Sequence, residues 1–323
     1  MFLAPDGDEL EITNAAADFM AGTIPLERFH GRNGMDLTTG SRLAFGEMGW
    51  FGLALPETRG GAGLGPVEHS LFFREVGRLC GPLDILAQAL AAHVADEDLR
   101  PGILSGEIGV ALAAPDRDFY RLLGASSASL AVLVTREGAQ LQALDGMSIE
   151  TRASLDPATS MRCLSALPAT PAATTSGPDI WALAELGAAA MLVGLAEAAL
   201  DMIVDYAKVR ETFGRKIGSY QAVRHPCADM ALDVEAARCQ LWFAAAATKE
   251  RHADAPVHID AAKHLANTAA IDNADRNIQL HGGIGVTDEH HAHLVLKHAL
   301  LLTKLFGTKR PLLARLLDAR LEG

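Results

Sequence analysis

The stretch Tyr206-Ala-Lys-Val-Arg-Glu-Thr-Phe-Gly-Arg-Lys-Ile-Gly-Ser-Tyr-Gln-Ala-Val-Arg-His-Pro-Cys-Ala-Asp-Met230 decides how the chain is read. Upstream of it, Leu186, Ala190, Val193, Leu200, Ile203 and Ala207 recur every three to four residues, the period of a helix face. That helix runs out at Arg210. Gly214 and Gly218 bracket a short extended turn, and a second helix begins near Gln221, with Pro226 in or near its first turn. The corner therefore gathers Arg210, Thr212 and Phe213. A guanidinium takes a phosphate bidentately and a ring packs on a planar group, so this set can hold an anionic, ring-bearing ligand. Taken without context, such a corner is more often a plain connection.

Composition narrows the classes. A chain of 323 residues, 49% hydrophobic, buries a large core and splits into two or three subdomains. Its net charge of −12 counts against a nucleic-acid surface. No apolar run approaches the roughly 20 residues that span a bilayer, so no membrane span is expected. The N-terminus, Met1 to Glu9, lacks a basic region and a signal-like apolar core. Cys80, Cys163, Cys227 and Cys239 form no C-x-x-C pair and read as reduced thiols of a cytoplasmic protein.

In chain order, residues 8 to about 105 read as helical. Leu10, Ala15, Phe19 and Met20 form a first apolar stripe; Pro66 and Pro82 suit the first turns of later helices. Gly60-Gly-Ala-Gly-Leu-Gly65 resembles a phosphate loop by eye, but the following Lys-Ser/Thr pattern is missing, so it reads as a connection. From Gly109 to Leu167 the runs at 110–113, 129–135, 140–144 and 147–151 are short, β-branched or alternating, which predicts a small β-domain. Pro168 to Pro178 reads as the linker out of it. Helices are expected at about 180–209, 221–251, 257–281 and 288–306, with a fifth from Thr308, making an antiparallel bundle. The expected fold is thus mainly α with a small β-domain: an N-terminal helical domain (1–107), a shortened β-domain (108–176) and a C-terminal bundle (177–323).

Arg210-Glu-Thr-Phe-Gly-Arg-Lys-Ile217, followed by Gln221 and Ala228-Asp-Met230, resembles the hallmark of the acyl-CoA dehydrogenase family. A second family mark follows at Gln279-Leu-His-Gly-Gly-Ile-Gly285, and a third likeness lies at Met48 to Gly65. Order and separation are also as in the family, whose fold has the same helix, β-domain, helix-bundle order. The resemblance implies α,β-dehydrogenation of an acyl-CoA thioester, with a carboxylate taking the α-proton and the flavin of FAD taking the β-hydride. It also implies that Arg210, Thr212, Phe213, Gln221, Gln279, Gly282 and Gly283 grip the pyrophosphate and adenine of a neighbouring subunit's FAD. Glycines suit that task because a backbone without Cβ lets a ligand approach closely.

Other family parts are missing. The usual base lies 24 residues beyond the first Gly of the Gly-Gly pair, which here is Phe306. The alternative position, 26 residues before the hallmark Arg, is Ala184. Glu185 is adjacent, but one step along a helix turns a side chain by about 100°, and Glu185 reads first as a solvated surface residue. The family's isoalloxazine-binding stretches are not found in the β-domain, where the corresponding segment reads Ala113-Ala-Pro-Asp-Arg-Asp-Phe119. His281, His290, His291, His293 and His298 cluster but lack a carboxylate-His ligand pattern, so no metal is expected and they read as exposed. Glu197 and Glu235 read as helix-surface charges.

The half of the site lent to a neighbour is present and the half a subunit keeps is absent. The expectation is a base-less subunit of a heteromeric (α2β2) acyl-CoA dehydrogenase, sharing FAD with a full-length partner subunit. The resemblance to enzymes of steroid side chains points to a bulky acyl-CoA substrate, with electron-transfer flavoprotein or a similar acceptor. The rival readings are a self-sufficient homo-oligomer using Glu185 and a flavin-free assembly subunit.

Overall fold

The computed structural model describes residues 5–29 and 36–320. Residues 1–4, on which part of the reading of the N-terminus rests, lie outside the described residues. The N-terminal region forms helices α1 (Gly7–Thr23), α2 (Thr39–Glu47), α3 (Pro66–Arg78), α4 (Leu83–Val94) and α5 (Arg100–Leu104). Local chemistry starts them where expected. Asp6 and Glu9 form a reciprocal capping box on α1, and Pro66 opens α3 while Glu68 accepts the Gly65 N–H at 2.8 Å. The stripe on α1 is rotated from the expected one. Ala16 and Met20 are buried and Phe19 meets Phe45 edge-on at 4.8 Å, whereas Leu10 is 49% exposed and Ala15 faces water.

The middle region is a seven-stranded sheet of order β5-β6-β2-β1-β3-β4-β7. Its strands are β1 (Val110–Pro115), β2 (Tyr120–Leu123), β3 (Leu130–Thr135), β4 (Gly138–Ala143), β5 (Glu150–Arg152), β6 (Met161–Leu164) and β7 (Ala173–Ser176). All pairings are antiparallel except β1 with β3, where Val110 lies opposite Leu130. β2 and β6 were not foreseen, being only four residues each. The expected linker corrects to an edge strand: β7 pairs with β4, Leu141 opposite Ala173 and Gly138 opposite Ser176. The fully buried Gln88 of α4 ties the helix to the sheet. Its Nε2 donates to the carbonyls of Ile103 and Ile108, and its Oε1 accepts the Val110 N–H at 3.1 Å.

The C-terminal bundle comprises α6 (Asp179–Val209), α7 (Gln221–Lys249), α8 (Ala255–His281), α9 (Ala292–Leu302) and α10 (Lys309–Asp318). Pro226 lies inside α7, close to its first turn. α6 is apolar nearly all round. It is long and apolar enough to cross a membrane by composition, which the sequence reading did not anticipate, but 78% of its most apolar window is buried inside the protein. It is the core helix of the fold, packed against α3, α4, α7, α8, α9 and the sheet.

Glycines let α3 and α6 meet backbone to backbone. A Cβ at Gly77 would lie 2.0 Å from the Met191 carbonyl oxygen, and one at Gly194 would lie 2.0 Å from that of Arg74. Beside this contact Glu197 is buried at 4% exposure, not on the surface as its spacing suggested. Arg74 and Arg78 of α3 and Arg238 of α7 reach its carboxylate at 2.8, 3.1 and 3.5 Å. Glu235, by contrast, is exposed and pairs with Arg238 along the helix surface.

Gly77→Ala or Gly194→Ala should therefore lower stability by about 1–3 kcal/mol, the usual range for overpacking. Gly22→Ala, where an added methyl meets nothing within 4 Å, should hold or raise the melting temperature. Thermal unfolding of the three variants tests the contact.

Candidate cofactor grip and the position of the missing base

α6 stops at Val209, and the Arg210 N–H still bonds back to Tyr206 O at 2.8 Å. The chain then makes a tight hairpin of β8 (Glu211–Thr212) and β9 (Arg215–Lys216), with Thr212 opposite Arg215. The two turn residues, Phe213 (φ 49°) and Gly214 (φ 76°), are both left-handed, as a two-residue hairpin of this hand requires. Glycine adopts that conformation freely; phenylalanine does so at a cost of about 1–2 kcal/mol. Lys216 pairs with Glu211 at 2.7 Å, and Tyr220 Oη donates to Thr212 O at 2.9 Å, so the hairpin is braced from both sides. Phe213 is 99% exposed at its tip. Arg210 and Gln221 are exposed, and the Arg210 side chain makes no ion pair or hydrogen bond among the described residues.

The second mark closes α8. Gln279 is exposed in the last turn, and Gly282 (φ 67°) breaks the helix into a tight turn over Gly282–Val286. A methyl added at Gly282 or Gly283 would meet nothing within 4 Å, so a ligand can lie directly on this backbone. The Tyr206 ring stacks on the His281 ring at 4.5 Å and 30°, which brings the ends of α6 and α8 together. An unpaired guanidinium, an exposed ring and an open glycine backbone fit a dinucleotide's phosphates and ring system. A cleft of about 370 Å³ opens between the ends of α6 and α7, with Lys208, Lys216 and Arg224 among its lining.

The histidines correct the sequence reading. His281 and His298 are buried and His290, His291 and His293 are half-buried, because they lie at the end of α8, in the turn after it and on α9, which packs back on the bundle. His298 Nδ1 meets the buried Asp156 at 2.7 Å, a contact between α9 and the β-domain. No group of three His, Cys, Asp or Glu among the described residues is arranged to hold a metal ion.

At the usual base position Phe306 is buried at 8% exposure, with φ 51°, and packs edge-on against Trp181 at 5.6 Å. Trp181 Nε1 donates to Glu185 Oε2 at 2.6 Å. Glu185 is only 1% exposed, which overturns its reading as a surface residue. α6 is covered on every side, so the step from Ala184 turns Glu185 toward α8 and α10, not toward water. Arg136, in the β3–β4 turn, and Arg315 of α10 each lie 3.6 Å from its carboxylate. The same arginines hold Asp260 of α8, at 3.2 and 2.7 Å.

Burial and the neighbouring Asp260 push the Glu185 carboxyl up to about 8, against the pull of Trp181 and Arg315. A proton on Glu185 removes the repulsion with Asp260. Beside them Lys263 is fully buried, and burial lowers its ammonium to about 7, with the Glu185 charge opposing. Its Nζ donates to Asn267 Oδ1 at 2.7 Å and to Gly307 O at 3.4 Å, which fixes the loop carrying Phe306. The sequence offered no sign of this cluster, whose members come from four separate elements. Tyr206 was visible, one helical turn before Arg210, and its i, i+4 spacing was the available signal.

Comparison with known proteins bears on the same segments. The "Acyl-CoA dehydrogenase, N-terminal domain" profile matches residues 6–97, and the "Acyl-CoA dehydrogenase, C-terminal domain" profile matches 184–319. Acyl-CoA dehydrogenase IpdE2 of Mycobacterium tuberculosis is 32% identical over 282 residues, covering 85% of this chain and 84% of the relative. The chain belongs to the acyl-CoA dehydrogenase family. Members of this family bind FAD. Among solved structures, the steroid ACAD Tcur3481-Tcur3483 aligns with a TM-score of 0.80 at 26% identity, over 96% of this chain and 97% of that one. The butyryl-CoA dehydrogenase of Megasphaera elsdenii shares the fold of this acyl-CoA dehydrogenase chain at 18% identity, with a TM-score of 0.79 over 98% and 99% of the two chains.

The raised Glu185 carboxyl gives a pH signature. A carboxyl that is harder to ionise in the folded state than in the unfolded one stabilises fully below the unfolded value, near 4.5. That stability is lost as pH rises toward about 8. Glu185→Gln should therefore match wild type at pH 5 and be more stable at pH 8, as read by urea unfolding. A gap that stays flat across this range would mean the carboxyl is ionised throughout.

Proposed function

We propose that this chain is the base-less subunit of a heteromeric acyl-CoA dehydrogenase, and that it lends the FAD grip to a full-length partner subunit. One observation carries the reading: the base position holds a buried phenylalanine, while Arg210, Phe213, Gln221, Gln279, Gly282 and Gly283 stand exposed. A phenyl ring takes no proton, so the α-proton is removed by a carboxylate of the partner. FAD, when bound, supplies the flavin that accepts the β-hydride. In this chain Arg210 offers paired N–H donors to the pyrophosphate, Phe213 a face for the adenine, and Thr212, Gln221 and Gln279 further polar contacts. Gly282 and Gly283 let the cofactor rest on their backbone.

The likeness to a steroid ACAD supports a bulky steroid side-chain CoA thioester as substrate. The family chemistry supports an electron-transfer flavoprotein or similar acceptor. The domain limits that fit this role are 1–107, 108–176 and 177–323, in a cytoplasmic α2β2 assembly. The rival base, Glu185, is a poorer fit. Its carboxyl is closed in by Trp181, Arg136, Arg315 and Asp260, and a general base needs to reach the substrate's proton.

Expressed alone, the chain should be colourless or nearly so; a flavin absorbance near one per chain would sink the proposal. In the co-expressed complex Arg210→Ala should weaken FAD about 10- to 150-fold, the value of a charge-assisted hydrogen bond to phosphate. Flavin fluorescence titration measures it, and an unchanged dissociation constant would reduce Arg210 to a corner residue.

A further inference from the structure

We infer that the packed rings of Tyr206, His281 and His290 are a positioning device that locks the two halves of the cofactor grip into one unit, with His281 at its centre. The inference rests on the grip proposed above but concerns residues that this proposal does not use. The two halves sit on different elements. Arg210 ends α6 and leads into the hairpin; Gly282 and Gly283 end α8 and lead into the turn. Helix ends fray and their last turns are the least fixed, so two ligand-binding ends hold a common spacing only if something joins them.

The rings make that join. Tyr206 is bonded through its carbonyl to the Arg210 N–H, and His281 is the residue directly before Gly282. Their rings are parallel within 30° at 4.5 Å. His290 follows the glycine turn and lies 4.2 Å from His281. It is anchored by the Ala292 N–H, which donates to its Nδ1 at 3.1 Å. The turn over Gly282–Val286 is therefore pinned at its entry by His281 and beyond its exit by His290.

His281 is held in turn by its own helix. Its Nδ1 lies 2.8 Å from Asn277 O, so the proton is assigned to Nδ1 and the ring is fixed in plane. Nε2 is then a buried lone pair with no hydrogen-bond partner. Burial holds His281 below its ordinary value, and burial with the neighbouring His281 takes His290 down to about 4. Two neutral imidazoles can lie this close; two cations could not. The ring face of His281, rather than its charge, carries the role, and that makes the role separable by substitution.

The test uses the full-length chain and hydrogen–deuterium exchange. His281→Ala and Tyr206→Ala should each speed exchange in both segments, 206–212 and 282–287, by about 2- to 10-fold, the value of one aromatic pair. Exchange in α3 and α4 should stay unchanged. His281→Phe, which keeps the ring and discards the titratable nitrogens, should restore protection in both. In the co-expressed complex, His281→Ala should weaken FAD by a similar factor and His281→Phe should hold it. If only the mutated segment loosens, or if His281→Phe behaves as His281→Ala, the coupling is overturned. If exchange couples as expected while Arg210→Ala leaves FAD binding unchanged, the device stands and the grip reading fails. Loss of FAD on Arg210→Ala with none on His281→Ala would leave the grip and remove the device.

Discussion

Everything in this molecule depends on covering one helix. From Ala184 to Ala199, α6 presents alanine, leucine, glycine and valine around nearly its whole circumference, and every residue of that span is buried. The N-terminal helices cover one flank through glycine contacts, α7 to α9 cover another, and the sheet closes the rest. Such a helix cannot carry polar groups cheaply, yet it carries two buried carboxylates. Glu197 meets three guanidinium groups. Glu185 faces another carboxylate and shares two arginines with it, and holding a proton relieves the clash. Both are buried, and both draw their partners from neighbouring elements.

Those partners also mark what a sequence can disclose. The bundle was legible because α6, α7 and α8 repeat their apolar residues at helical spacing and are punctuated by Pro256, Gly282 and Gly283. The proposed grip could be read at all because its residues lie in two continuous stretches. Glu185, Glu197 and His281 were misread as surface groups because their neighbours, such as Arg136, Asp260, Arg315, Arg74 and Tyr206, are distant in sequence or lie on another helix. β7 was hidden for a different reason. Its Ala-Thr-Thr-Ser run lies between Pro171 and Pro178, and only the pairing with β4 makes it a strand.

The two halves of the site differ in physical state as well as in sequence. At the proposed grip, Arg210, Phe213, Gln221 and Gln279 stand in water, and their side chains still have rotamer freedom to lose when a ligand arrives. At the base position the loop is locked. Lys263 and Asn267 hold Gly307 O, Trp181 packs on Phe306, and Phe306 sustains a left-handed backbone. That conformation is costly for a residue with a large side chain, and it persists because the surrounding packing over-determines it.

The braced hairpin has a consequence for the amounts in which the chain is made. Its two left-handed residues and its flanking bonds prevent Phe213 from folding back onto the surface. A phenyl ring kept in water forgoes about 1.5–3 kcal/mol of burial. Every copy without a covering surface displays the same greasy point in the same geometry. Encounters between such copies rise with the square of their concentration, so any self-association through this ring grows steeply as the chain is concentrated.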